Sequence, residues 1–337
     1  MAVVVGNDVL TLAEMKTRLG PDNKISTIIE MLERQDEMID DIPWCQANML
    51  TTHKTTVRTG LPTPTHRRFN QGVAATRSST AQVEFPLCQA ADRSEVDVDL
   101  ANLGGNAAAV RLSESKPHLA GMVQAVADTL VYGDPVANPS TDDAKIPGLH
   151  YYFKDNTTAP TKDHVITAGG SGSDNTSLWV VAWGEDTVCG LYPNGLVAGL
   201  KHDDLGEGDA FDASNRRFRA YMDSYSWNYG LAVKDWRAIV RICNIDVSDL
   251  VATVASQQAL TTYMIQALAK IPSQYRNRAR IYGNATALTA WELGIRADVK
   301  AGGGLDYENV GGQRVMKFRG VPVRTCNAIT VAESTIS

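Results

Sequence analysis

Ile25, Ile28, Ile29, Leu32, Ile39 and Ile42 recur at helical spacing, so the chain behind Gly20, Pro21, Asp22 and Asn23 predicts an amphipathic helix capped by Asp22 or Asn23 and closed by Pro43. Its polar side is acidic, with Glu30, Glu33, Asp36, Glu37, Asp40 and Asp41 set against Arg34. The pattern then changes. Over residues 53–85 threonines join Val57, Phe69, Val73, Val83 and Phe85, which favour extended chain, and Pro62 and Pro64 interrupt it, so a long polar hairpin is expected. A lone hairpin is marginal in water, and ordering it costs about 1–2 kcal/mol per residue in backbone entropy, so it needs a surface to lie on. A third pattern is a stripe of Leu119, Met122, Val123, Val126 and Leu130, which predicts a helix over 113–132 with Pro117 in its first turns and Gly133 past its end.

Residues 134–177 are rich in Pro, Gly, Asn, Asp and Thr and read as loops with short strands. Residues 177–193 predict a hairpin turned at Gly184, Glu185 and Asp186, and residues 217–245 alternate aromatic and aliphatic positions as strands do. Two helices follow. Asp246 or Ser248 caps a run through Leu260, Met264, Ile265 and Leu268 that stops at Pro272, and Asn284 caps a second. A strand pair over 314–329 completes a mixed α+β pattern without internal repeats.

Charge sharpens one of these elements. The 337-residue chain carries a net charge of −6, yet residues 53–85 hold Lys54, Arg58, Arg67, Arg68 and Arg77 against the single acid Glu84. An acidic body argues against nucleic-acid binding by a whole face, so any basic function is local. No run approaches the roughly 20 apolar residues of a membrane span, and the first residues lack a basic leader and cleavage site, so a cytoplasmic product without membrane contact is expected. Cys45, Cys88, Cys189, Cys243 and Cys326 are scattered, as in a reducing compartment, with no zinc or redox spacing.

Candidate chemistry is sparse. The glycines around Ser171 lack the spacing of a nucleophile elbow, and Gly302, Gly303 and Gly304 have no basic residue placed for a phosphate, which makes them a hinge or loop. His202, Asp203, Asp204, Glu207 and Asp209 lie close together, as an exposed acidic loop or as a divalent-ion site. Two alternatives therefore stay open: a metal-dependent hydrolase using His202, Asp203 and Asp204, and a nucleic-acid-binding module using the basic hairpin. The tryptophans lie in apolar alternating runs and read as core or interface anchors. No catalytic set, cofactor or resident metal is expected.

Several stretches together resemble a known family. "DDIPWCQAN" and "HKTTVRTGLPTPTHRRFNQGV", then "SEVDVDLANLGGNAAAVRLSES", "GSGSDNTSLWVVAWGEDTVCGLYPNGLVAGLKHDDLGE", "WNYGLAVKDWRAIVRICNID" and "FRGVPVRTCNAI", are similar in kind and order to the major capsid protein of tailed double-stranded DNA bacteriophages, in the short-tailed group. The resemblance covers about residues 28–330. It implies the Hong Kong 97-type α+β capsid fold: an N-terminal arm (1–50), an extended loop (51–90), a peripheral domain with a long spine helix (91–145), and an axial domain with returning peripheral strands (146–337). The "GVPV" cassette follows the strand it precedes in better-known members, which implies a permuted strand order. The resemblance also implies a structural protein, not an enzyme, assembled in the host cytoplasm into an icosahedral virion shell of hexamers and pentamers around double-stranded DNA. Procapsid maturation, scaffolding and portal proteins, a cement protein and weak, non-specific DNA contact belong to the same implication. Within such a shell Lys54, Arg58, Arg67, Arg68 and Arg77 are expected to face Glu33, Asp36, Glu37, Asp40 and Asp41 of an adjacent copy, with Trp44 at the contact.

Overall fold

The computed structural model describes residues 36–103, 106–136, 144–157, 161–211, 215–297, 305–310 and 313–336. Two sheets organise them. The first runs β1 (Trp44–Gln46), β6 (Val188–Tyr192), β8 (Arg217–Val233), β3 (Ser79–Asp97) and β2 (Thr52–Gly60), with β7 (Leu200–Phe211) also paired to β8. The second runs β11 (Leu305–Val310), β12 (Gln313–Phe318), β13 (Val321–Thr325), β10 (Ala279–Gly283), β5 (Asn175–Ala182), β9 (Ile239–Asp246) and β4 (Val165–Thr167). Seven α-helices stand among the described residues: α1 (Met38–Asp41), α2 (Val98–Asn102), α3 (Ala107–Tyr132), α4 (Leu149–Tyr152), α5 (Val247–Ala252), α6 (Val254–Lys270) and α7 (Ala285–Ala297). None is long and apolar enough to cross a membrane.

The pattern of apolar positions explains the layers. On β8 the buried Asp223, Tyr225, Trp227, Tyr229 and Leu231 alternate along one face, the period of a half-covered strand, and β8 pairs antiparallel with β3 from Leu87↔Gly230 to Asp97↔Ala220. All of β5, and β9 up to Ile245, are buried, so both are covered on two faces and occupy the middle of the second sheet. Helix α3 packs Met122, Val126 and Leu130 into a core that continues through both sheets to Trp179, Tyr282 and Trp291.

Several expectations change. The spine helix starts at Ala107, six residues earlier than its apolar stripe, because Asn106 caps it through a bond from the Ala109 amide (3.1 Å). Pro117 therefore lies inside the helix. It is exposed, and water can reach the Ser113 carbonyl that its missing N–H leaves open. The expected hairpin over 177–193 turns where foreseen, with the Thr187 amide donating to the Gly184 carbonyl (3.1 Å), but its two arms enter different sheets. β5, buried on both faces, takes β9 and β10 as neighbours, and β6 takes β1 and β8. The helix expected from 246 to 271 is two, broken at Thr253. The acidic loop around His202 is the long strand β7. Of the N-terminal amphipathic helix, α1 is the part within the described residues; Glu33 lies outside them, as do Gly302, Gly303 and Gly304. β12 and β13 form the expected late hairpin, turned by Arg319 (φ 50°) and Gly320 (φ 81°), both left-handed as a two-residue turn requires. β13 lies parallel to β10, so the "GVPV" cassette sits inside the second sheet.

Candidate assembly surfaces

β2 and β3 pair in antiparallel register from Thr52↔Pro86 to Arg58↔Thr80, with a bulge before Gly60. Beyond Gly60 the chain leaves the sheet. Residues 61–77 are exposed throughout, including Leu61 (78 % exposed) and Phe69 (98 %). Lys54 sits directly opposite Glu84 and pairs with it at 2.5 Å, so that cation is answered within its own hairpin. Arg67 donates to the Gln71 carbonyl (3.1 Å) beside Asn70, which turns the chain at φ 64°. Arg58, Arg68 and Arg77 are exposed and have no carboxylate partner among the described residues.

The acidic segment is engaged elsewhere. Asp36 accepts the Ala328 amide (2.7 Å), Glu37 pairs with Arg324 (3.0 Å), and Asp41 accepts the Tyr282 hydroxyl (2.8 Å) with Arg324 and Arg280 at 3.5 and 3.7 Å. Asp40 is exposed. Trp44 lies over Gly190, where a Cβ would stand 2.6 Å from the indole, and its ring centroid is 6.0 Å from that of Trp227. Three of these carboxylates thus fasten residues 36–41 to late strands of their own chain. Sequence reading missed Arg280 and Arg324 as their partners, since no local spacing links residue 37 to residue 324.

The metal-site arrangement does not form. His202 Nε2 lies 3.0 Å from Asp223, Asp203 pairs with Lys201 (2.6 Å), and Asp204 pairs with Arg111 (2.7 Å). Among the described residues no three metal-ligating side chains converge. His202 instead stacks on Tyr225 (4.8 Å between centroids), whose other face carries His118 of α3 (5.7 Å), itself bonded to Asp92 (2.6 Å). This sandwich holds the spine helix across β8 and β7.

A buried polar knot joins the spine helix to the second sheet. Glu333 accepts from the Tyr132 hydroxyl (2.5 Å), from the Ser177 hydroxyl and from the Arg241 guanidinium (2.8 Å); Arg241 also donates to Ser177 (3.0 Å) and to the Phe153 carbonyl (3.0 Å). The Arg241 side chain is 0 % exposed and that of Glu333 is 4 %. Nearby His150 stacks obliquely on Tyr132 at 5.8 Å. Burial first, and then the Arg241 charge, push its pKa down to about 4 from 6.5. The unfolded chain therefore takes up a proton near pH 6.5 that the folded chain refuses until about pH 4. The contribution is complete above 6.5 and is lost as pH falls through that window, at most about 3 kcal/mol. Urea midpoints measured at pH 7 and pH 4.5 should differ more for the wild type than for His150→Gln; equal differences would exclude the role.

A long spine helix braced on one sheet, a second sheet with its own helices, and an outlying hairpin that its own chain does not support define a shell-forming protein of the Hong Kong 97-type capsid class. A structure of bacteriophage Epsilon15 matches with 31 % identity over 99 % of each chain and a TM-score of 0.73. Weaker likenesses include the bacteriophage JBD30 capsid (10 % identity, 95 % of this chain and 99 % of that one, TM-score 0.47) and the SrpI encapsulin of Synechococcus elongatus (11 %, 71 % and 96 %, TM-score 0.46). No curated protein matches the chain. The family model described as Major capsid protein GP7 matches residues 20–337, and the chain belongs to that family of structural, non-enzymatic proteins.

Proposed function

We propose that copies of this chain assemble as hexamers and pentamers into an icosahedral shell around double-stranded DNA, each copy laying its basic hairpin over a neighbour. The carrying observation is the hairpin itself: Phe69 is 98 % exposed and four of its five cations lack a carboxylate within the described chain. The first sheet with α3 serves as the peripheral domain, and the second sheet with α5, α6 and α7 as the axial domain. Lys54, Arg58, Arg67, Arg68 and Arg77 face carboxylates of the adjacent copy, and Asp40 and Trp44 border the contact.

Each exposed ion pair contributes about 0–1 kcal/mol, so single contacts stay correctable during assembly. Once one contact forms, effective concentration lets the rest add, and apolar burial at about 25 cal/mol per Å² supplies most of the stability. A long hairpin re-angles without unfolding the core, which suits maturation from a procapsid. Scaffolding, portal and cement proteins and weak, sequence-independent contact with DNA complete the partner set, with assembly in the host cytoplasm. Negative-stain microscopy of the purified chain is expected to show closed polyhedral particles; a lasting monomer at high concentration overturns the proposal.

A further inference from the structure

The clasp needs a receiving surface, and Asp36, Glu37 and Asp41 are occupied within their own chain. A different feature has both the charge and the shape. Between the end of β9, helices α5 and α6 and the loop at residues 168–171 lies an open groove of about 260 Å³. Its walls include Ile245, Leu250 and Leu260, each buried at its base. Asp246 and Asp249 line it. The two carboxylates bond to neutral donors: Asp246 to the Asp249 amide and the Ser248 hydroxyl, Asp249 to the Thr253 and Ser256 hydroxyls. No lysine or arginine among the described residues pairs with either.

The hairpin tip is the complement. It presents one nearly bare aromatic ring, Phe69, directly after Arg67 and Arg68. Buried aromatic and arginine anchors carry most of the energy of protein interfaces, and a cavity of about 150 Å³ already holds a benzene ring. Phe69 is 98 % exposed, so it does not enter the groove of its own chain. We propose that the groove between α5 and α6 receives the hairpin tip of a second copy, Phe69 against Leu250 and Leu260, Arg67 and Arg68 against Asp246 and Asp249. This rests on the shell reading and names the receiving site within it.

The full-length chain, assembled in cells, tests it with the pair Phe69→Cys and Ser256→Cys. Ser256 lines the groove and is not an apolar wall of it. Mild oxidation of particles carrying both substitutions should give a ladder of linked oligomers on a non-reducing gel, and each single substitution should run as monomer. Particles that form without a ladder overturn the groove and leave the shell standing, whereas a wild-type chain that forms no particles overturns the shell. If the double cysteine variant does not assemble, charge exchange decides. Arg67→Glu with Arg68→Glu should cut particle yield at least tenfold, and adding Ser256→Arg should restore most of it; no restoration overturns the groove.

Discussion

Arg241→Met should destabilise the chain by about 3–5 kcal/mol, because it strands the carboxylate of Glu333 in a site that is 4 % exposed. The substitution also removes the donors to Ser177 and to the Phe153 carbonyl, and it lifts the guanidinium from the face of Trp179, 4.9 Å away. The urea midpoint should fall with the m-value unchanged. The informative comparison is the pair Arg241→Met with Glu333→Gln, which removes the charge along with its partner and should recover a substantial part of the loss. A double variant as unstable as the sum of the singles would mean that Glu333 is neutral or solvated in the folded chain.

Reversing Arg67 and Arg68 to glutamate should abolish shells and leave the subunit folded. Both residues are exposed, and neither has a carboxylate partner among the described residues, so surface substitutions of this kind stay within about 0.5 kcal/mol of wild-type stability. Assembly multiplies the effect, since every copy in a shell loses the same contacts, and each 1.4 kcal/mol per contact is tenfold in its equilibrium constant. Sedimentation should show particles replaced by slow species with an unaltered melting temperature. Arg67→Lys with Arg68→Lys keeps the charge and should retain particles. Unchanged assembly of the glutamate variant would remove the hairpin from the contact.

The parts of this fold that sequence reading reached are those where local pattern and tertiary demand coincide. The stripe from Leu119 to Leu130 is both helix-periodic and the buried face of α3, and Asp246 and Asn284 stand at the helix starts that their side chains cap. The misses share a different cause. The chain around Gly184 carries a true turn, and nothing local distinguishes a hairpin from a crossing between sheets, because the decision rests on β9 and β10, far away in sequence. His202 to Asp209 looked like a loop because its residues are charged; β7 carries them because it pairs with β8 on one side and leaves them at the surface. The basic hairpin was legible from composition alone. Its carboxylate counterparts were not, since Glu37 meets Arg324 only after nearly the whole chain has been traversed.

That last closure governs when a newly made subunit is ready. Asp36 bonds to residue 328 and Tyr132 to residue 333, so the early segment has no seat while the ribosome is still working. Synthesis of the intervening 292 residues takes about 15–60 s at bacterial elongation rates. Nascent molecules on one messenger therefore cannot finish their own tertiary closure, and so present a complete docking face, before release. Polymerisation is thereby postponed until each molecule is whole, which keeps truncated products from being built into a head.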